Sequence, residues 1–208
     1  MNKEQLRLYV ITDGMRHPEE KVRKAIAGGA SIVQYREKCL GAEEKYEEAM
    51  KLLKVCREYG VPLIINDDVE LAEKIGADGV HVGQSDMSVG EARKRLGENA
   101  IIGATAKTIE QARKAMEQGA DYLGSGAMYV SSSKKDATPM SVECLKGICE
   151  SVSIPVVAIG GITKHNIEPL LGSKIAGVAV INGVFGEEDI TLAAKEIYEK
   201  VITITGGI

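Results

Sequence analysis

The chain has no tryptophan and only one phenylalanine in 208 residues. Its core must therefore be built mainly from Val, Ile, Leu and Ala, which suits parallel strands buried on both faces. It also lacks an excess of basic charge: 26 Lys and Arg stand against 30 Asp and Glu, for a net charge of -4. That balance argues against nucleic acid or an anionic membrane as the main partner, so an anionic substrate must meet a local cluster of cations. No stretch approaches a membrane span, and the opening MNKEQLRLYVITD has no apolar run of signal-peptide length. The four cysteines, Cys39, Cys56, Cys144 and Cys149, show no CxxC spacing. Cys144 and Cys149 fall in one predicted amphipathic helix, so buried thiols in a reducing cytoplasm are expected rather than disulfides. No GxGxxG follows the first predicted strand, which weighs against an open dinucleotide-binding sheet.

What is present is a repeated grammar. Short β-branched runs alternate with charged segments of helical period, and several helices close on Gly-Ala before the next run. The instances are GGASIVQYR from Gly28, IGADGVHVG from Ile75, QGADYLGSG from Gln118 and the looser KIAGVAVING from Lys174. Gly suits the left-handed position just past a helix, and the residues after it fill an interior strand. Eight strands are predicted, beginning near Leu6, Ser31, Pro62, Gly79, Ala100, Tyr122, Pro155 and Gly177, each followed by a helical segment. Asp67-x-x-Glu70, Ser88-x-x-Glu91 and Thr108-x-x-Gln111 match the capping-box pattern at helix starts. Eight βα units in this length leave no room for a second domain. The expected fold is α/β, a single (β/α)8 TIM barrel over residues 1–208, with a doubly wound sheet as the rival. One connection is longer than the rest, running from Met128 to Pro139, and a polar loop of that length in a barrel suggests a lid or a binding loop.

Barrel chemistry sits where strands end. The second strand runs into Gln34-Tyr35-Arg36-Glu37-Lys38, where alternation sends Gln34, Arg36 and Lys38 to one side and Tyr35 and Glu37 to the other. Inward cations need an anion or carboxylate, so this is either an internal ion-pair network or a phosphate clamp. The third strand ends in Asn66-Asp67-Asp68 and the fourth in His81-Val82-Gly83-Gln84-Ser85-Asp86. Asp67 could cap the next helix, while Asp86 is spared that role by Ser88. Together the two carboxylates could share Mg2+ beside a diphosphate. His81 reads as a packing histidine. Ser131, Ser132 and Ser133, followed by Lys134 and Lys135, suit phosphate oxygens or a solvated turn equally. Gly160-Gly161 and Ile181-Asn182-Gly183 end strands seven and eight, where barrels commonly bind phosphate through backbone N–H groups. Two anion sites imply two phosphorylated substrates.

Taken in order, QYREK, IINDD, GVHVGQSD, GATAKT, SSSKKD, VVAIGGIT and VAVING resemble the thiamine-phosphate synthase family over nearly the whole chain. The resemblance implies a transferase that joins hydroxymethylpyrimidine diphosphate to hydroxyethylthiazole phosphate, or its carboxylated form, releasing diphosphate. It implies that Gln34, Tyr35, Arg36, Glu37, Lys38 and Asn66 hold the pyrimidine diphosphate and that Thr105 contacts the pyrimidine. It implies Mg2+ on Asp67 and Asp86, and leaving-group stabilisation by Arg36, Lys38 and Lys134. Ser131, Ser132, Ser133, Gly161, Ile181 and Asn182 would take the thiazole phosphate. The chain departs from the family at Lys107, where His is common, and at Asn182, where Ser is frequent. Thr105 replaces a frequent Ser and keeps its hydroxyl. A thiazole tautomerase on the same barrel is the alternative. Its proton transfer is assigned to a His at the position held here by Lys107. A cytoplasmic enzyme is expected, and the sequence leaves its oligomeric state open.

Overall fold

The computed structural model describes residues 1–130 and 139–206. Strands β1 (Leu8–Ile11), β2 (Ile32–Tyr35), β3 (Leu63–Asn66), β4 (Gly79–Val82), β5 (Ile101–Thr105), β6 (Tyr122–Gly126), β7 (Val156–Ile159) and β8 (Gly177–Val180) form a closed parallel barrel in chain order. β8 closes on β1 with Leu8 opposite Val178 and Val10 opposite Val180. Around it lie α1 (Pro18–Ala27), α2 (Ala42–Tyr59), α3 (Val69–Ile75), α4 (Val89–Leu96), α5 (Ile109–Glu117), α6 (Val142–Ser151), α7 (Asn182–Phe185) and α8 (Ile190–Thr205).

Strand alternation separates two cores. Leu8, Val10, Val33, Leu63, Ile65 and Val80 face the helices, while Tyr9, Ile11, Ile32, Ile64, Tyr122 and Val157 fill the barrel. The interior is not wholly aliphatic as composition suggested, because two fully buried tyrosines lie in it. Glycine makes the space: a Cβ on Gly103 would sit 2.1 Å from the Tyr122 ring and 2.5 Å from His81 Nδ1. The Gly-Ala repeats also carry a stabilising device at the bottom of the barrel. Ser31, Asp78 and Asp121, each just ahead of a strand, accept the backbone N–H of Leu8, Leu63 and Ile102 at 3.0, 2.8 and 2.7 Å. These bonds occupy donors that the ladder leaves over at the strand starts.

Four local expectations are corrected. β7 is followed by a single 3-10 turn, Glu168–Leu170, rather than a full helix. The intervening turn is organised by Asn166, which accepts from Thr163 N and donates to Gly161 O. The α3 cap is Asp68, whose carboxylate accepts from Leu71 N at 2.9 Å, and not Asp67. Asp67 stands one residue earlier with φ +63°, the left-handed turn that ends β3. Of the cysteines only Cys56 is buried, whereas Cys39 and Cys144 are exposed. Ser88 and Glu91 form their capping box as expected. At α5, Thr108 accepts from Gln111 N, but the Gln111 side chain returns to Lys107 N rather than to the cap residue.

Candidate active site

A cavity of about 330 Å3 opens at the C-terminal ends of the strands. One wall carries Arg36, Asn66, Thr105 and Lys107, and the opposite wall carries Gly160, Gly161, Asn182 and Gly183. Its floor includes Tyr9, Gln34 and His81. The cationic and glycine-rich strand ends therefore face each other across one space.

On the cationic side, β2 ends at Tyr35, one residue before the first cation, so strict alternation fails there. Gln34 points inward and is 3% exposed. Tyr35 points outward to α2, where its hydroxyl donates to Glu48 over 2.9 Å. Burial, and then the Glu48 carboxylate, hold the Tyr35 pKa well above the usual phenol range. Arg36 begins the loop at the cavity mouth, its N–H donating to Thr12 Oγ1 at 3.0 Å and its guanidinium paired with Asp13. Glu37 shapes the same loop by accepting from Cys39 N and Leu40 N. Lys38 is exposed and lines a neighbouring hollow with Lys45, Asn66, Asp67 and Asp68, not the main cavity. Of the three predicted inward groups, Gln34 and Arg36 reach the cavity and Lys38 approaches from the side of Asp67.

Asp67 and Asp86 come together. Burial raises the Asp67 pKa first, the hydrogen bond and charge of Asp86 add to the rise, and Asn66 and Lys38 oppose it. The Asn66 amide donates to Asp67 Oδ2 at 2.6 Å. Gly83 N donates to Asp86 Oδ2 at 2.8 Å, a bond that a Cβ on Gly83 would obstruct. Two hard oxygen donors this close, from adjacent strand ends, suit a divalent cation that completes its shell with water and phosphate oxygens. Among the described residues no group of three His, Cys, Asp or Glu side chains could form an all-protein metal cage.

The glycine-rich wall is held open by backbone geometry. Gly161 has φ +65°, and a Cβ there would lie 2.9 Å from Tyr129 O and 3.0 Å from Val130 O. Ile181 leads into α7, a short extra helix that brings Asn182 and Gly183 to the cavity. A short helix after strand eight is the common phosphate-binding arrangement of this fold. Ser131, Ser132, Ser133 and Lys134 lie outside the described residues.

Apart from Gln34, sequence reasoning missed the floor. His81, read as packing, lines the cavity, with Nε2 3.1 Å from Thr105 Oγ1 and Nδ1 3.1 Å from the Tyr122 hydroxyl. Tyr9, Tyr122 and Asp13 carried no functional expectation. The available signal was glycine at the inward positions 103 and 124, which leaves room for large polar rings.

The chain is similar to known proteins over most of its length. The family described as thiamine monophosphate synthase matches the chain over residues 8–184. A thiamine-phosphate synthase of Clostridium tetani is 44% identical over 194 residues, covering 91% of this chain and 93% of that protein. A second, thiamine-phosphate synthase 2 of Streptococcus pneumoniae, is 41% identical over 208 residues, covering 98% and 99%. The solved structure of thiamine phosphate pyrophosphorylase from Pyrococcus furiosus superposes with a TM-score of 0.88 at 40% identity, covering 96% of this chain and 98% of that one.

Proposed function

The chain belongs to the thiamine monophosphate synthase family, and on that premise we propose how its barrel carries out the reaction. The enzyme is a transferase that couples hydroxymethylpyrimidine diphosphate with hydroxyethylthiazole phosphate, giving thiamine phosphate and diphosphate. The observation that carries the site assignment is the single cavity with a cationic wall facing a glycine wall.

In this reading the pyrimidine lies on the floor against Gln34 and Thr105, with its diphosphate toward Arg36, Lys38 and Asn66. Lys134 is assigned to the diphosphate by family resemblance, as are Ser131, Ser132 and Ser133 to the thiazole phosphate. The thiazole phosphate also takes the wall formed by Gly161, Ile181 and Asn182. The thiazole nitrogen forms a bond to the exocyclic methylene carbon as the carbon–oxygen bond to diphosphate breaks. Arg36, fixed by Asp13 and Thr12, meets charge as it develops on the departing oxygen without first having to be ordered. The nitrogen attacks through its own lone pair, so no general base is required. Asp67 and Asp86 would hold Mg2+, whose charge would assist departure of the diphosphate.

Nothing favours the tautomerase alternative. Lys107 is exposed at the position that reading needs for a proton-shuttling His. The deciding experiment measures diphosphate release with both substrates, each alone, and neither. Release that requires both supports the assignment. Tautomerisation of the carboxylated thiazole phosphate without diphosphate release would overturn it.

A further inference from the structure

The turn after β7 is gripped from behind the cavity wall. Tyr129 N donates to Gly160 O at 2.9 Å, and Asn166 Nδ2 donates to Gly161 O at 2.9 Å. Two consecutive carbonyls are therefore taken by residues that do not themselves line the cavity. A trans peptide is planar, and its C=O and N–H point in opposite directions. Turning the Gly160 and Gly161 carbonyls toward Tyr129 and Asn166 turns the N–H groups of Gly161 and Ile162 the other way. Both of those residues line the cavity, and among the described residues neither N–H has an acceptor. Ile162 is 2% exposed, and a backbone donor left unpaired at such a site carries a cost that a ligand or a water relieves. Gly160 at φ +103° and Gly161 at φ +65° permit the arrangement, and successive N–H groups in such a turn form an anion-binding concavity.

Asn166 is the centre of the grip, and each of its polar atoms is used. Its Oδ1 accepts from Thr163 N at 2.8 Å while its Nδ2 holds Gly161 O, so one side chain spans the turn. Its own N–H donates to Thr163 O at 3.2 Å, and its carbonyl accepts from the Tyr129 hydroxyl at 2.6 Å. Tyr129 thus fastens Asn166 from the far side and also backs Gly161, where a Cβ would lie 2.9 Å from Tyr129 Cβ. Without the Asn166 amide no other described group holds Gly161 O. The Gly161–Ile162 peptide is then free to rotate and present a carbonyl, not a donor, to an incoming anion.

We propose that Asn166 and Tyr129 are positioning residues for the phosphate ester of the thiazole substrate. Neither touches the ligand. They fix the orientation of two successive peptides so that N–H groups, and no carbonyl of Gly160 or Gly161, face the phosphate. The donors are then in place before the anion arrives, and binding does not have to order them. The identity of the phosphate ester rests on the proposed function; the grip on the two peptides does not.

The test has two arms. In ligand-free, 15N-labelled protein, 15N–1H spectra follow the Gly161 and Ile162 amides as inorganic phosphate is added. In wild type both signals should shift with one common Kd. Asn166→Ala should raise that Kd by about 10-fold, the scale of one net hydrogen bond. Asn166→Ser, whose hydroxyl can still accept from Thr163 N, should recover part of the loss. Tyr129→Phe keeps the ring behind Gly161 and removes only the bond to Asn166, so it should raise the Kd by about threefold. In the kinetic arm the same variants, assayed well below their Tm, should raise KM for hydroxyethylthiazole phosphate in the same order. KM for the pyrimidine diphosphate should move little. Phosphate that shifts neither amide in wild type would overturn the proposal. So would an Asn166→Ala variant that binds phosphate as wild type does, or equal rises in both KM values, which mark a general loss of packing. If wild type forms no thiamine phosphate, the functional reading fails, and the phosphate titration still decides the turn.

Discussion

Mg2+ should stabilise this protein in the absence of substrate, and the effect should depend on pH in a direction set by Asp67. Two ionised carboxylates about 4 Å apart repel by about 1 kcal/mol in water and about 4 kcal/mol near a protein surface. Asp86 is exposed and Asp67 half-buried, so screening keeps the cost near the lower figure, about 1 kcal/mol. The folded-state pKa of Asp67 lies above its unfolded value. Its contribution to stability is therefore fully present at pH below the unfolded value and is lost as pH rises through the folded one. At neutral pH the metal-free protein carries that cost, and a bound divalent cation relieves it. At 100 times its Kd, Mg2+ adds about 2.7 kcal/mol, and a chain of this size gains about 2–4 °C in Tm per kcal/mol. A rise of about 5–10 °C is expected at pH 7.5 by calorimetry, shrinking as pH falls into the carboxylate range. Asp67→Asn tests the same reasoning from the other side. Asn tolerates the left-handed backbone there, and Asp68 provides the helix cap, so the variant should be at least as stable as metal-free wild type. It should also lose the Mg2+ shift and most turnover. A Tm that ignores Mg2+ in wild type, or turnover that persists in excess chelator, would refute the pairing.

Gly161→Ala should lower stability by about 1–3 kcal/mol, since it forces a left-handed alanine against the backbone of Tyr129 and Val130. KM for the thiazole phosphate should rise more than KM for the pyrimidine diphosphate, and the opposite order in steady-state kinetics would reassign β7. Lys107→His should keep most coupling activity and gain no appreciable tautomerase activity, as measured by product formation from each substrate set. At pH 7.5 a maleimide should label Cys39 and Cys144 rapidly. Cys56, whose thiol burial pushes up to about 12, should react only after unfolding, and mass spectrometry of the folded protein would expose the error if it reacts sooner.

The strands were legible because this parallel barrel writes several of them twice, as β-branched runs and as the Gly-Ala that ends the preceding helix. Predicted starts near Ser31, Gly79 and Tyr122 meet strands beginning at Ile32, Gly79 and Tyr122. Reading failed where strand geometry stops. Alternation placed Lys38 beside Arg36, but β2 ends at Tyr35, and beyond it the loop is set by Glu37 accepting two backbone N–H groups. At Asn66-Asp67-Asp68 either aspartate could cap α3. The choice depends on a left-handed turn at Asp67 that composition does not encode. The polar floor was hidden for a different reason. Tyr9, His81 and Tyr122 occupy inward positions indistinguishable by period from packing residues. Only the register of β4, β5 and β6, with His81 opposite Gly103 and Gly103 opposite Tyr122, brings their polar atoms together.

That floor also answers the problem posed by the net charge of -4. No aspartate or glutamate lines the described cavity, while Arg36 and Lys107 do. The acidic excess lies elsewhere, and Asp67 and Asp86 sit to one side, where a cation can gather them. A carboxylate on the floor would recognise an amino group as well as an amide does. It would also pair with Lys107, or add to the Asp13 pairing of Arg36, and compete with the diphosphate for them, at several kcal/mol in a partly buried site. The polar side chains of the floor and its rim, the Gln34 amide, the Thr105 hydroxyl, the Tyr9 phenol and the His81 ring, include no carboxylate and so take neither cation from an anionic ligand.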